Sequence, residues 1–330
     1  MTVLAGKQVG GNALGLMRMT TYDWTMPDED AFKVLKSALA EGVNIWGGAD
    51  FYGTQSSNSL HLLARYFAKY PEDGDKVVVC IKSGVIDMRT FSIDGSPDMV
   101  RKLVANANKI LGPYKKIDIF GIARVDPKTS IEDTVKTLAQ LRNEGEIGGI
   151  QLSEVGSATI RRAAAVTKID FVEEEVSLWA TDIFDNGVAT TCAELDIPIT
   201  AHTPLGAGML TGQIKTLDDL PAPYLRMFPR FQPANFKKNL DLVDELKKLA
   251  EAKGVTAAQL ALGWLKYQSS KPGAPLIIPL SGARSPDRVK ENAHPVNLND
   301  NDLKAIRSIL DSFPVSGQRY PEAGMKVVEF

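Results

Sequence analysis

Only two cysteines and three histidines occur in the 330 residues. Cys80 and Cys192 lie far apart, each in an apolar or helical context and without metal-type spacing. They read as buried free thiols in a reducing compartment, not as a disulfide or a thiolate metal centre. No two histidines have zinc-ligand spacing. His61 falls in a helical pattern and His294 follows the last motif, so both read as structural or surface residues; His202, at a strand end, is a site candidate. Charge of either sign is not in excess: 38 Lys and Arg against 40 Asp and Glu give a net −2. That excludes a basic field for nucleic acid and an acidic tail, and points to a small-molecule partner. No apolar run reaches the length of a membrane span, and the opening "MTVLAGKQVGG" lacks the apolar core of a signal peptide, so a cytosolic protein is expected. Internal repeats and low-complexity tracts are also missing.

The 44% hydrophobic content is enough for one large core or two smaller ones. Eight short β-rich runs follow one another: "NALGLM", "VNIWGGA", "VVVCIK", "IDIFGIA", "GGIQLSE", "DFVEEEVS", "IPITAHTP" and "PLIIPLSG". Between them stand segments with helical spacing of apolar residues, such as "DAFKVLKSALAEG", "SLHLLARYFAKY", "PDMVRKLVANANKIL", "SIEDTVKTLAQLRNEG" and "NLDLVDELKKLAEAKG". Several end in glycine, as helices commonly do. Strands apolar enough to be covered on both faces, alternating with helices, predict an α/β fold, a single-domain (β/α)8 TIM barrel over residues 1–330. The open-sheet alternative lacks its fingerprint: "VGGNALGLM" has glycines in the wrong order for G-x-G-x-x-G and no helix after them. Residues 213–240, rich in proline, arginine and aromatics, read as a long irregular insertion after strand seven, either a lid or cofactor clasp or a passive surface loop.

Reactive groups of such a barrel belong at the C-terminal ends of its strands. Those ends carry Tyr52, Lys82, Ala123 and Arg124, Ser153 and Glu154, Glu173 and Glu175, and His202 and Thr203. Lys82 ends an apolar run, and a cation there favours the phenolate form of a nearby tyrosine, so Tyr52 with Lys82 could give a proton to a carbonyl. Taken alone, the pair fits a packed aromatic and a snorkelling lysine better. In "SGARSPDRVKEN", residues 281–292, Arg284, Ser285 and Arg288 cluster where a helix begins. Helix N-termini and arginine forks bind phosphate, but an N-cap serine with surface arginines explains the cluster as well.

Taken together, "LGLMRM", "ADFYG", Lys82, "ARVD", "GGIQLSE", "AHTPLGAGMLTG", "PRFQPANFKKNL", "GVTAAQLALGWL" and "GARSPDRVKEN", in that order and spacing, resemble the aldo-keto reductase family over nearly the whole chain. The resemblance implies a barrel that uses NADPH without a Rossmann fold. Hydride passes from the nicotinamide to a carbonyl while a tyrosine supplies the proton. Tyr52 matches that tyrosine and Lys82 its lysine partner. Ser153 matches the serine that holds the carboxamide. Arg284, Ser285, Arg288 and Asn292 match the cluster around the 2′-phosphate and adenine, which favours NADPH over NADH. Met17, Thr203, Pro204, Leu205, Gly282 and Glu291 complete the implied cofactor-facing set, and no metal is implied.

Two of the family's four usual catalytic residues are missing. Gly47 stands where the carboxylate of "D-T-A-x-x-Y-G" belongs, and Ala123 replaces the histidine of "H-R-x-D". Around the nicotinamide, Glu154 replaces asparagine, Glu173 replaces glutamine, and His202 stands where an aromatic often stacks. Both carboxylates could accept from the carboxamide NH2, leaving Ser153 to donate to its oxygen; if they approach each other, one should have a raised pKa. Without a carboxylate at position 47 the pKa of Lys82 is expected to fall, unless Asp50 folds back to it. Arg124 either fills space beside Ala123 or pairs outside the barrel with Asp126.

"GIQLSEV", "VEEEVSLWATD" and the missing histidine look most like the fungal pyridoxal reductase branch. The expected activity is therefore reduction of pyridoxal to pyridoxine, the substrate's own phenolic hydroxyl offsetting the missing histidine. Two alternatives stand beside it: reduction of other aromatic or aliphatic aldehydes, and a catalytically weak NADPH-binding regulatory module like the potassium-channel β-subunits of the same family.

Overall fold

The eight apolar runs form eight parallel strands: Ala13–Gly15 (β1), Ile45–Ala49 (β2), Val78–Ser83 (β3), Ile119–Ile122 (β4), Gly149–Ser153 (β5), Phe171–Glu175 (β6), Ile199–His202 (β7) and Ile277–Gly282 (β8). Each pairs with its neighbour in sequence, and β8 returns to β1, Leu280 beside Ala13 and Gly282 beside Gly15, so the barrel closes. The computed structural model describes residues 2–21, 25–87, 90 and 92–329. Every residue of β2 to β6 is buried, as a sheet covered on both faces requires. The first strand, the weakest in the sequence pattern, is only three residues long.

Helices Asp28–Ala40 (α1), Ser59–Lys69 (α2), Pro97–Leu111 (α3), Ile131–Asn143 (α4), Ser157–Val166 (α5), Val188–Glu194 (α6), Pro233–Ala252 (α7), Ala257–Ser270 (α8), Pro286–Ala293 (α9) and Asp300–Ser312 (α10) surround the barrel. Their starts are chemically marked. Ser130 caps α4 by accepting from the Asp133 N–H, and Thr256 with Gln259 makes a reciprocal capping pair on α8. Among the described residues no helix is long and apolar enough to cross a membrane, and no three His, Cys, Asp or Glu side chains gather as metal ligands. Both cysteines are free and buried.

Alternate residues of each strand point into the barrel. The lower interior is apolar, with Ala13, Ile45, Val78, Ile119, Phe171 and Ile278 packed together. A hairpin of Thr2–Leu4 and Lys7–Val9, not foreseen in the sequence, closes this end by adding Leu4 and Val9 to the cluster. Above that layer the inward positions turn polar and charged, which puts the chemistry at the C-terminal mouth.

Two segments cover the mouth. The insertion is shorter than its 213–240 reading, because α7 already begins at Pro233; before it run short 3-10 turns at Leu217–Asp219, Pro223–Met227 and Pro229–Phe231. After α10 the chain comes back to the same mouth. Asn239 of α7 joins the two, its Nδ2 donating to the carbonyls of Arg230 at 3.0 Å and Ser316 at 2.9 Å.

Candidate active site

Lys82 and Glu173 face each other across the barrel from β3 and β6. Lys82 Nζ donates to Glu173 Oε1 at 2.5 Å, and the residues are 5% and 3% exposed. Tyr52, in the loop after β2, places its ring centroid 5.6 Å from the same Nζ. Burial acts to lower the lysine's pKa, but the carboxylate of Glu173 outweighs it and the net shift is upward. This corrects the expectation of a lowered pKa. The missing carboxylate is supplied from the opposite strand, not from the position that lost it. At Gly47 a Cβ would lie 3.1 Å from Leu280 Cδ1, so Leu280 has taken that space. Nor does Asp50 fold back to the lysine: its carboxylate accepts from Ser83 Oγ.

Glu154, wholly buried at the end of β5, is held by a different set of groups. Its Oε1 meets His202 Nε2 at 2.5 Å, the Glu175 N–H at 3.1 Å and Arg319 Nη1 at 3.2 Å, while Oε2 accepts from Arg319 Nη2 at 2.8 Å. Three of these contacts fall on Oε1 and one on Oε2, so Oε1 is fully engaged while Oε2 keeps one lone-pair site. Burial works to raise the pKa of Glu154, yet His202 and the nearby arginines hold it well below the ordinary range. Arg319 also reaches Glu175 Oε2 at 3.2 Å, and Arg230 of the insertion reaches Glu175 Oε1 at 3.3 Å. Glu154 and Glu173 are thus each neutralised by their own cations. The carboxyl with the strongly raised pKa is Glu174, which points outward, buried and beside Glu154. Glu154 and Thr203 both have left-handed backbones, φ 56° and 52°, a strained conformation that turns the chain at the strand ends.

Ser153, 2% exposed, also ends β5, and its hydroxyl makes no hydrogen bond to another described residue. Ala123 ends β4 without a polar side chain, and the guanidinium of Arg124 turns to the Tyr320 ring, 5.8 Å away. Asp126 instead accepts from the N–H groups of Gly95 and Lys128 and from Thr129 Oγ1. His61 and His294 lie elsewhere, bonded to Asn58 and Glu41.

A second cluster forms where β8 meets α9. Ser285 caps this helix, its Oγ accepting from the Arg288 N–H at 3.3 Å, and Arg288 pairs with Glu291. Arg284 is exposed and donates to the Arg18 carbonyl at 3.0 Å; Asn292 is buried below. The stem of Arg18 lies over Gly282, where a Cβ would stand 3.2 Å from Arg18 Cδ. Burial lowers the pKa of Arg18, and the charge of Arg284 adds to the effect. Met17 begins the one-turn helix beside Arg18, and Thr203, Pro204 and Leu205 follow β7. Tyr224 of the insertion acts on Arg18 electrostatically while Arg230 sits on Glu175, so the insertion runs from one cluster to the other.

The sequence reading missed Arg319, Arg230, Glu174 and Arg18. Arg18 stood in the quoted "LGLMRM" and Arg230 in an insertion already marked as arginine-rich. Arg319 lies in the coil "SGQRYP", where no local pattern signals burial.

The sequence profile described as the Aldo/keto reductase family matches residues 13–311. A Schizosaccharomyces pombe protein named "Probable pyridoxal reductase 2" is 37% identical, with 97% of each chain covered. A Saccharomyces cerevisiae protein named "Putative pyridoxal reductase" is 36% identical over 94% of this chain and 95% of its own. Among solved structures, a glycerol dehydrogenase from Gluconobacter oxydans superposes with a TM-score of 0.78 at 25% identity, with 94% of each chain covered. With its closed eight-stranded barrel and a lysine and tyrosine at the mouth, the chain belongs to the aldo/keto reductase family of oxidoreductases.

Proposed function

We propose that the protein is an NADPH-dependent carbonyl reductase that converts pyridoxal to pyridoxine, with Tyr52 as proton donor. The observation that carries this reading is the buried Lys82–Glu173 pair beside the Tyr52 ring, a charged lysine maintained although the usual carboxylate is gone. The two yeast relatives named as pyridoxal reductases support the substrate.

The donor set fits a nicotinamide cofactor with a 2′-phosphate. Arg18, Arg284, Arg288 and the capped start of α9 suit the phosphate. Ser153 can donate to the carboxamide oxygen, and Glu173 keeps Oε2 for the carboxamide NH2 while Oε1 holds Lys82. Glu154, wholly buried and already bonded by His202, Arg319 and the Glu175 N–H, serves better to hold His202 and Arg319 in place than as a cofactor ligand. When bound, the cofactor supplies the hydride that reduces the carbonyl carbon. Tyr52 gives its phenolic proton to the carbonyl oxygen, Lys82 stabilises the phenolate left behind, and solvent returns the proton. Glu173 keeps Lys82 charged and aimed.

Glu173→Gln tests that role. With the carboxylate removed, burial dominates and the pKa of Lys82 falls, so the lysine loses its charge at lower pH. The alkaline limb of kcat/KM should move down by about 1–3 pH units, and an unmoved limb would show that Glu173 does not set the lysine's charge.

Ala123 offers no hydrogen bond to the substrate oxygen, and pyridoxal can supply one from the hydroxyl beside its aldehyde. Steady-state NADPH oxidation with pyridoxal and its 3-deoxy analogue should show the analogue slower by about 10²-fold or more. Equal kcat/KM values would sink the substrate-assisted reading, and a better rate with simple aliphatic aldehydes would replace pyridoxal as substrate.

A further inference from the structure

Arg124 has no role in the mechanism above, yet it is built into the mouth. Its Nη1 donates to the Ala123 carbonyl at 2.5 Å, and its buried Nε has no partner. No carboxylate lies within ion-pair distance of it among the described residues; Asp126 is occupied by Gly95, Lys128 and Thr129. The guanidinium carbon lies 5.8 Å from the Tyr320 ring, and the charge of Arg124 acts on Tyr52 and Lys82.

The inward-facing carboxylates near it are engaged by other groups. Glu173 has Lys82, Glu154 has Arg319, and Glu175 is shared by Arg319 and Arg230. Asp50 is bonded to Ser83. Among the described residues Arg124 is left without an ion pair of its own, and its buried Nε without an acceptor. Burial works against its charge, but Tyr320 and Glu154 outweigh it and the pKa is raised; what remains unmet is the buried Nε–H, and a ligand oxygen that accepts from the guanidinium fork would meet that need.

We infer that Arg124 is a substrate-binding residue for aldehydes that carry an acidic hydroxyl next to the carbonyl, donating to that ring oxygen. The inference rests on the proposed reductase reading and deepens it. The ring hydroxyl donates to the carbonyl oxygen while its own oxygen accepts from Arg124. As negative charge grows on the carbonyl oxygen, the internal hydrogen bond strengthens, and the charge drawn onto the ring oxygen is met by the guanidinium. Arginine suits this because its planar fork stays charged and aims two N–H groups in parallel. Arg124, one residue past Ala123, thus restores through the substrate what a histidine would supply directly.

The test uses paired substrates: pyridoxal with its 3-deoxy analogue, and salicylaldehyde with benzaldehyde. Arg124→Gln should lower kcat/KM for each hydroxyaldehyde by about 10- to 100-fold and for each partner lacking the hydroxyl by less than about 3-fold. NADPH affinity, followed by fluorescence titration, should stay unchanged. Arg124→Lys, which keeps the charge, should retain part of the discrimination and provides the comparison if the glutamine variant does not fold. An equal loss on both members of a pair, or an undiminished preference for the hydroxyl, overturns the inference. Dependence on Arg124 with salicylaldehyde but no turnover of pyridoxal would uphold the inference and reject the pyridoxal reading.

Discussion

Replacing Tyr52 with phenylalanine should lower kcat about 10²- to 10⁴-fold, the usual contribution of a positioned general acid. The change removes one oxygen and keeps the ring that packs edge-on against Phe51, with centroids 4.9 Å apart. Lys82 remains paired with Glu173, so the charge at the mouth is preserved. Cofactor affinity should therefore stay within about 3-fold, because the loss falls on the transition state and not on ground-state binding. Single-turnover rates with fluorescence titration of NADPH separate the two. Near-normal turnover in this variant would mean that the proton comes from elsewhere.

Arg319→Leu should destabilise the fold by about 3–5 kcal/mol, the typical cost of removing one member of a buried ion pair. Arg319 serves two carboxylates, Glu154 at 0% exposure and Glu175 at 7%, and neither can reach water when it is gone. Urea unfolding gives the loss directly. Adding Glu154→Gln to Arg319→Leu should recover part of it, since the stranded charge is then removed. The pH dependence has a definite sign. Because Glu154 titrates below the ordinary range in the native state, its contribution is complete above the unfolded value of about 4.3 and is lost as pH falls through the lower native one. A single variant as stable as the parent would show that the C-terminal segment does not lock the mouth.

What the sequence disclosed and what it concealed divide along range. Strands were readable because runs such as "VVVCIK" and "DFVEEEVS" carry their own pattern, and strand ends fix where Lys82, Ser153 and His202 must lie. The clustering of Ser285 and Arg288 was readable because they are three residues apart on one helix start. The counter-ion of Lys82 was not, since Glu173 is 91 residues away and reaches it only once the barrel has closed. Reading position 47 in isolation led to an expected drop in the lysine's pKa, whereas the fold filled that position with Leu280 and took the charge from β6. Arg319 meets Glu154 across 165 residues from an unpatterned coil, a pairing that no spacing rule anticipates. The carboxylate lost at position 47 is therefore met from another strand, whereas Ala123 leaves the place of the histidine without a polar side chain.

The central claim is that this altered constellation still performs hydride chemistry. One measurement addresses it most directly: a single turnover of the unmodified protein, mixed with NADPH and then pyridoxal, followed by NADPH absorbance and by the amount of alcohol formed. NADPH should disappear in proportion to pyridoxine produced, at a rate that Tyr52→Phe slows by about 10²-fold or more. Tight NADPH binding with no oxidation by pyridoxal or any other aldehyde would contradict the account and leave a cofactor-binding regulatory module in its place.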